Sequence, residues 1–395
     1  MNIFFITSGY YSVLDNKKSA IESLVYFLVE ENENRNTHKF YIGTKKPIVD
    51  PKKYNNTDFL FYEVIHKNNI FYYIWYLIFR LFRMFDIDIP KHHYVYEIYK
   101  YAKNKKIDYF IVEEGDLYSF KYLSRKFGKE KMIYHSHSQV KYTQELLNIY
   151  DKFISPSKYI EEYNFQNYNS QIYRNKILLN SINENNFKKN MTEKENADIR
   201  NELHIEINDF VVVFVGRISE VKGVKQLISA WNRINCFNKK LILIGSTQFG
   251  TNVVSNYEKN ILNEIKSNAS IISLGFIPND QISKYHNISD LFISPSIMEP
   301  AGMMNLEAMC SGLPILSTNE GGIPEYVINN RNGILINDIN NIEEFANKIE
   351  ELMRNKEMLL EFSKNNLIDS KKYYKSEYYS RFCKIINEFQ NNESK

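Results

Sequence analysis

The sequence predicts an α/β protein built on two doubly wound parallel sheets. Strand-like runs alternate with helix-like segments along the whole chain. The strand-like runs are apolar throughout rather than alternating, as in strands covered on both faces. At 395 residues the chain is also long enough for two domains and the two cores they need. In order, the first half reads as a strand over Ile3–Thr7, a helix over Ser19–Glu30 and a strand over Lys39–Gly43. An aromatic segment follows, then strands over Asp108–Glu113, Lys131–His135, Lys152–Ser155 and Lys176–Asn180. Residues 184–208 are polar and poor in apolar periodicity, which suits a linker and an entry helix.

The second half begins near Phe210, with strands expected over Phe210–Val215, Lys240–Ile244, Ile271–Leu274, Leu291–Ser294 and Pro314–Ser317. Ile342, Phe345, Ala346, Ile349, Leu352 and Met353 recur at helical spacing, and Tyr373–Gln390 is a further helix. The domains expected from this reading are residues 1–185, residues 186–372 and a C-terminal helix over 373–395. Both main domains are Rossmann-like.

Composition limits the functions available. Fifty basic and 47 acidic residues give a formal charge of +3, which argues against a surface built for nucleic acid. Cys236, Cys310 and Cys383 are too few and too far apart for a disulfide framework or a zinc site. The N-terminal Met-Asn-Ile-Phe-Phe-Ile-Thr lacks a basic leader and reads as a first strand, so the expected location is the cytoplasm. Residues 70–85 form an apolar, aromatic run broken by Arg80 and Arg83 before the roughly 20 residues a membrane span requires. The segment is read first as a buried helix of the first domain. The second reading is a helix lying at the headgroups of the inner membrane face, which would make the protein peripheral there.

Candidate chemistry concentrates after Leu291–Ser294. Pro300 fixes φ, and Gly302 can take backbone angles denied to other residues, so a tight turn can expose consecutive N–H groups. Ala301, Met303 and Met304 flank that turn, and Met304, Leu306, Ala308 and Met309 supply a helical apolar face. A helix N-terminus of this kind suits phosphate. Glu299 lies before the helix and Glu307 about one turn inside it, so the two carboxylates can engage different hydroxyls of one ligand. Taken alone, two carboxylates at this spacing read first as a solvated helix start. A second element, Phe210-Val-Val-Val-Phe-Val-Gly-Arg-Ile-Ser-Glu-Val-Lys-Gly223, places Gly216, Arg217 and Lys222 after a strand, where two cations can meet a diphosphate. No G-x-G-x-x-G follows either first strand, which weighs against a nicotinamide dehydrogenase.

The run from Ser294 to Val327 resembles the E-x7-E block of the retaining glycosyltransferases of family 4, the glycosyl transferases group 1. The segment Phe210–Gly223 is similar to that family's strand and Gly-Arg…Lys-Gly loop. The resemblance implies a GT-B fold, with two Rossmann-like domains facing across a cleft, and a hexose transferred with retention from a nucleoside-diphosphate sugar, UDP being the expected nucleotide. The acceptor it implies is a glycan or a lipid-linked molecule, as in bacterial surface polysaccharide synthesis. It assigns Glu299 to the sugar, Glu307 to the ribose, and Arg217 and Lys222 to the departing diphosphate, with neither metal nor cofactor. Gly275-Phe276-Ile277-Pro278 looks like the family's turn beside the base, an ordinary strand-ending turn being the alternative.

In the first domain the resemblance sets a histidine near the transferred sugar. Within Tyr134-His-Ser-His-Ser138 the pattern best fits His137, and His135 would point the same way if the strand continues. Glu114, in Glu113-Glu-Gly-Asp116, is a candidate for acceptor hydroxyls, against a plainly solvated loop. The first loop departs from the family's Gly-Gly-x-Glu: it keeps one glycine, Gly9, followed by Tyr10 and Tyr11 and then Asn16-Lys-Lys-Ser-Ala20 before Glu22. Gly9 remains the acceptor-side candidate there. The competing functions are a GT-B epimerase or phosphorylase, and a non-catalytic nucleotide-sugar-binding partner of another transferase.

Overall fold

The computed structural model describes residues 1–15, 19–48, 52–64, 69–187, 191–247 and 254–391. Asn16, Lys17 and Lys18 of the first loop therefore lie outside the described residues. The chain divides into two compact units, Met1–Leu179 with Tyr378–Lys395, and Asn180–Glu377.

Unit 1 holds strands β1 (Asn2–Ile6), β2 (Lys39–Thr44), β3 (Thr57–Phe61), β4 (Tyr109–Val112), β5 (Met132–His135), β6 (Lys152–Ser155) and β7 (Asn175–Ile177). Their order is β3-β2-β1-β4-β5-β6-β7, and every pairing is parallel. The helices between them are α1 (Ala20–Arg35), α2 (Ile70–Met84), α3 (His93–Ala102), α4 (Lys121–Phe127), α5 (Gln144–Ile149) and α6 (Lys158–Asn164). Along β1 the side chains alternate between two cores. Ile3 and Phe5 pack with Phe40, Ile42 and Ile111, whereas Phe4 and Ile6 pack with Phe110, Val112 and Tyr134. Both faces are dry, which is why Ile3–Ile6 carries no polar position.

Unit 2 opens with two short helices, α7 (Glu184–Phe187) and α8 (Glu193–Glu202), the second begun by a Thr192/Glu195 capping box. Its strands are β8 (Phe210–Val215), β9 (Lys239–Ile244), β10 (Ile271–Gly275), β11 (Leu291–Ser294), β12 (Ile315–Thr318) and β13 (Gly333–Ile336). They are parallel in the order β10-β9-β8-β11-β12-β13. The helices are α9 (Val224–Trp231), α10 (Asn256–Ile265), α11 (Asn279–Asn287), α12 (Met303–Cys310), α13 (Ile342–Arg354) and α14 (Lys356–Asp369).

The last helix, α15 (Lys375–Asn391), belongs to unit 1 from Tyr378 onward. Tyr378, Phe382, Ile386 and Phe389 recur on one helical face and are buried against β1 and β2, with the Phe382 ring 5.7 Å from Phe5. Lys176 and Glu388 pair at 2.6 Å on the rim of this contact.

The buried-helix reading of residues 70–85 is corrected. No residue of α2 is buried. The core face beneath it is already filled by Tyr94, Val95 and Ile98 of α3 and by Tyr122 and Leu123 of α4. The helix rests on α3 through Trp75, whose ring lies 4.8 Å from His93 and 5.6 Å from Tyr96 and whose Nε1 donates to the Lys91 carbonyl at 3.1 Å. No helix among the described residues is long and apolar enough to cross a membrane.

The α15 packing gives a first prediction. Phe382→Ala should destabilise unit 1 by about 3–5 kcal/mol, the usual cost of emptying an aromatic core site. Hydrogen exchange in urea should show protection lost early in β1 and β2 while β8 and β11 are unmoved. Equal loss in both sheets would contradict the assignment of α15 to unit 1 alone.

Candidate functional site

In unit 2, β8 and β11 are neighbours, and the strand order runs outward from them in opposite directions. In an open parallel sheet such a reversal leaves a crevice beyond the C-terminal strand ends, where ligands bind. The loop after β8 carries Gly216, Arg217 and Lys222, and the loop after β11 carries Glu299, Ala301 and Gly302.

These two loops are laced together. Gly223 has φ +65°, and a Cβ there would stand 1.9 Å from the Pro295 carbonyl oxygen, so only glycine allows the crossing. The Ile297 N–H donates to the Val221 carbonyl at 2.9 Å. Between them the Lys222 ammonium donates to Glu299 Oε2 as a mostly buried ion pair. Glu299 is held from further sides: Ser296 Oγ donates to Oε2 at 3.3 Å and the Gly302 N–H to Oε1 at 3.2 Å. From the loop after β12, the Gly322 N–H donates to the Glu299 backbone carbonyl at 2.9 Å. Arg217 lies on the same loop as Lys222 but is exposed, with no ion pair among the described residues.

Gly302, at φ +64°, turns the chain into α12. The N–H groups of Met303 and Met304 point out of the first helical turn, as all opening N–H groups of a helix do. Two buried polar side chains sit behind them. Asn305 is fully buried and its amide has no partner among the described residues. Glu307 accepts from Asn279 Nδ2 at 2.8 Å through Oε1, while Oε2 has no partner. Burial pushes its carboxyl up to about 8, against a smaller opposing effect from the Asn279 bond, so Glu307 is largely protonated at neutral pH. Phe276 and Ile277, after β10, are partly exposed and immediately precede Asn279, which brings that turn to Glu307. Asn279, half-buried at the start of α11, and Asn305, buried in α12, escaped the sequence reading, since a lone amide carries no periodic signal.

Unit 1 has its own reversal, between β1 and β4. His135 Nδ1 and His137 Nε2 lie 2.8 and 2.7 Å from the same oxygen, Glu113 Oε2. Both histidines thus face one carboxylate. Burial alone would raise that carboxyl, but the two imidazoles outweigh it and bring Glu113 down to about 2. Burial, with His135 adding to it, pushes His137 down against the pull of Glu113. A carboxylate only accepts, so each ring nitrogen facing Glu113 carries its hydrogen. Glu113 was legible only as one of a run of acids.

Nearby in sequence, Glu114 is exposed. Gly9, at φ +74°, is pressed against Tyr62 and Val64, where a Cβ would fall 2.8 Å from the Tyr62 ring. The adjacent Ser8 Oγ donates to the fully buried Glu22 Oε1 at 3.2 Å, a contact that sequence spacing did not suggest. Glu113, His135 and His137 are also, among the described residues, a group that could hold a metal ion. Their N···O separations of 2.7–2.8 Å are those of hydrogen bonds, so the cluster would have to open to the ~3.3 Å between tetrahedral zinc ligands.

The chain spans about half the length of the curated relatives it matches. It is 32% identical over 170 residues to spore coat protein SA of Bacillus subtilis, covering 42% of this chain and 45% of that one. It is 31% identical over 190 residues to the lipopolysaccharide 1,2-N-acetylglucosaminetransferase of Salmonella typhimurium, covering 44% and 49%. Among solved structures, HepE of Anabaena in complex with UDP and glucose superposes over 98% of this chain and 99% of its own with a TM-score of 0.71, at 18% identity. That likeness shows a common fold of two parallel-sheet, Rossmann-like units, the GT-B fold. Residues 195–367, which lie within unit 2, match the family described as glycosyl transferases group 1.

Proposed function

We propose that this protein is a retaining hexosyltransferase of family 4 that uses a nucleoside-diphosphate sugar, with UDP as the nucleotide. The observation that carries the reading is the Lys222–Glu299 pair at the β8/β11 reversal, beside a Gly302-capped helix start. That arrangement supplies a cation for the diphosphate and a carboxylate fixed for a sugar hydroxyl. The UDP and glucose bound to HepE and the saccharide chemistry named for the Salmonella relative support the same donor class. The proposed destination is a glycan or lipid-linked acceptor of a bacterial surface polysaccharide, with residues 70–85 in peripheral contact with the membrane.

In the proposed reaction the bond between the anomeric carbon and the diphosphate oxygen breaks, and an acceptor oxygen bonds to that carbon on the same face. The acceptor proton passes to the departing phosphate. Lys222 and Arg217 stabilise the negative charge that grows on the diphosphate, and the α12 N-terminus adds to them. Glu299 orients the sugar, Glu307 receives the ribose hydroxyls, and Phe276 and Ile277 contact the base. His137, held by Glu113, is assigned to the transferred sugar, and Gly9 and Glu114 to the acceptor.

Two experiments test this. Incubation with a panel of nucleotide sugars should release nucleoside diphosphate from at least one donor, and Lys222→Ala should slow that release by about 10²–10³-fold, the usual cost of one charge-stabilising group. Glu299→Ala should also slow it. Binding without release would favour a non-catalytic partner, and intact turnover in both variants would sink the site.

The second experiment uses pH. Ribose hydroxyls donate to a carboxylate, so binding should favour ionised Glu307, whose free carboxyl is raised by burial to about 8. Binding then expels a proton, and affinity for UDP-glucose should rise by up to about ten-fold per unit between about pH 6 and about pH 8 before levelling off. The same shift makes ionisation of the unliganded fold costly, with stability falling as pH climbs from the ordinary carboxyl range through about 8. Glu307→Gln should flatten both profiles, which titration calorimetry and thermal unfolding would read.

A further inference from the structure

In unit 2 the turn after β10 is tied to the helix after β11 by a polar contact outside the apolar core. Strand β10 lies at the sheet edge and ends at Gly275, φ +66°, whose carbonyl accepts from the Gly245 N–H at 2.7 Å. Phe276, Ile277 and Pro278 follow, and Asn279 is the first residue of α11. Its Nδ2 crosses to α12 and donates to Glu307 Oε1 at 2.8 Å. Further along, the same helices meet again where His286 Nδ1 lies 2.9 Å from the Oγ of Ser311, just past the end of α12. There Ser311 Oγ donates to the Glu307 backbone carbonyl at 3.1 Å, so the hydrogen shared with His286 comes from the imidazole and the Glu307 side chain takes no part.

Only the Asn279 tie reaches the carboxyl group. Glu307 is 4% exposed, with Asn279 on Oε1 and no partner for Oε2 among the described residues. A carbonyl oxygen is the better acceptor, so in the neutral acid the proton falls on Oε2. A ribose hydroxyl donating there needs that oxygen bare. Burial opposes the loss of the proton, and the Asn279 N–H, fixed on the other oxygen, favours it. No further charge bears on the group: β11 and β12 carry none, His286 is kept neutral by burial, which lowers it to about 3, and neither Glu184 of α7, Asp280 and Lys284 of α11, the charges of α14 as far as Asp369, nor Lys371 acts on it.

We propose that Asn279 is a positioning residue for the nucleotide-sugar donor, holding Glu307 by Oε1 and leaving Oε2 as the single acceptor for a ribose hydroxyl. The inference rests on the assignment of Glu307 to the ribose put forward above and adds the residue that orients it. Asn279 directly follows the Phe276–Ile277 turn assigned to the base, so its bond also fixes the spacing between base turn and ribose acceptor.

The test follows UDP-glucose binding and turnover from about pH 6 to about pH 9.5 in the parent, Asn279→Leu and Ser311→Ala. Leucine has the branched outline of asparagine without its donor. A hydrogen bond to a charged group is lost, so N279L should bind on the order of ten-fold more weakly at neutral pH, with KM raised and kcat little changed. The deficit should close at high pH, the levelling-off moving up by roughly one unit from about 8. S311A breaks the other tie between the helices and should lower thermal stability without moving the levelling-off. If thermal unfolding shows N279L to be misfolded, N279A removes the same donor with less bulk. An N279L profile that superposes on the parent's, or a deficit equal at every pH, would overturn the role of Asn279 while the parent's own rise with pH upholds the ribose reading. A parent profile that is flat and unchanged by Glu307→Gln, or no binding by the parent, would overturn both.

Discussion

Each sheet is parallel throughout, and that single constraint arranges the rest of the molecule. Parallel strands need a crossover after every strand, so both faces are covered and polar side chains are expelled from strand interiors. All C-terminal ends then open on the same edge. In unit 2 the polar residues gather there: Ser317 Oγ donates to the Ser294 carbonyl at 2.8 Å, and Thr318 Oγ1 to the Ser296 carbonyl at 2.6 Å. These bonds fix the Ser-Pro-Ser segment from which Glu299 is presented. The position of that carboxylate is thus inherited from strand pairing, through short loops with little freedom of their own.

Fixing the loops also sets the electrostatics. Lys222 and Glu299 come from loops after different strands and neutralise each other where neither could remain alone at low cost. The ammonium is therefore held in place before any ligand arrives, and less side-chain entropy is lost when an anion replaces the carboxylate as its partner. Arg217, exposed on the same loop, has the opposite character: a free, planar fork that a diphosphate could recruit in two-pronged fashion. One cation is pre-placed and the other is exposed.

Much of this was legible in the sequence wherever local pattern and tertiary role coincide. The β8 run Phe210–Val215 and the β11 run Leu291–Ser294 have the boundaries expected from their uninterrupted apolar character. The strands that were missed, β3 and β13, are both edge strands. Thr57–Phe61 is mostly half-buried and Gly333–Ile336 opens on a glycine, so neither shows the run that two-sided burial imposes on central strands. The α2 segment failed for a different reason. Hydrophobicity marks a helix that wants cover, but whether the protein supplies it depends on α3 and α4 having already filled the core. At the candidate site, the glutamates and cations were singled out through the motifs they resemble, since their spacing alone fits a solvated helix start and a solvated pair. Asn279, Asn305 and Glu22 were not, because their roles come from contacts between elements.

The two carboxylates that bracket the start of α12 have separate chemistries, and the separation bears on the proposed retention. Glu299 has both oxygens committed, Oε2 to Lys222 and Ser296 and Oε1 to the Gly302 N–H. A nucleophile would have to shed those partners at the moment of attack. Glu307 lies behind the first turn of α12, buried and raised to about 8, so at neutral pH it is mostly a carboxylic acid with no charge to offer an anomeric carbon. Neither fits the close pair of ionised and protonated carboxyls that a covalent glycosyl intermediate uses. In the retaining transfer proposed above, the base would then be the departing diphosphate itself. The basicity that matters would then be set by how tightly Lys222 and Arg217 hold the phosphate: strong enough to let it leave, and weak enough that one of its oxygens can still take the acceptor's proton.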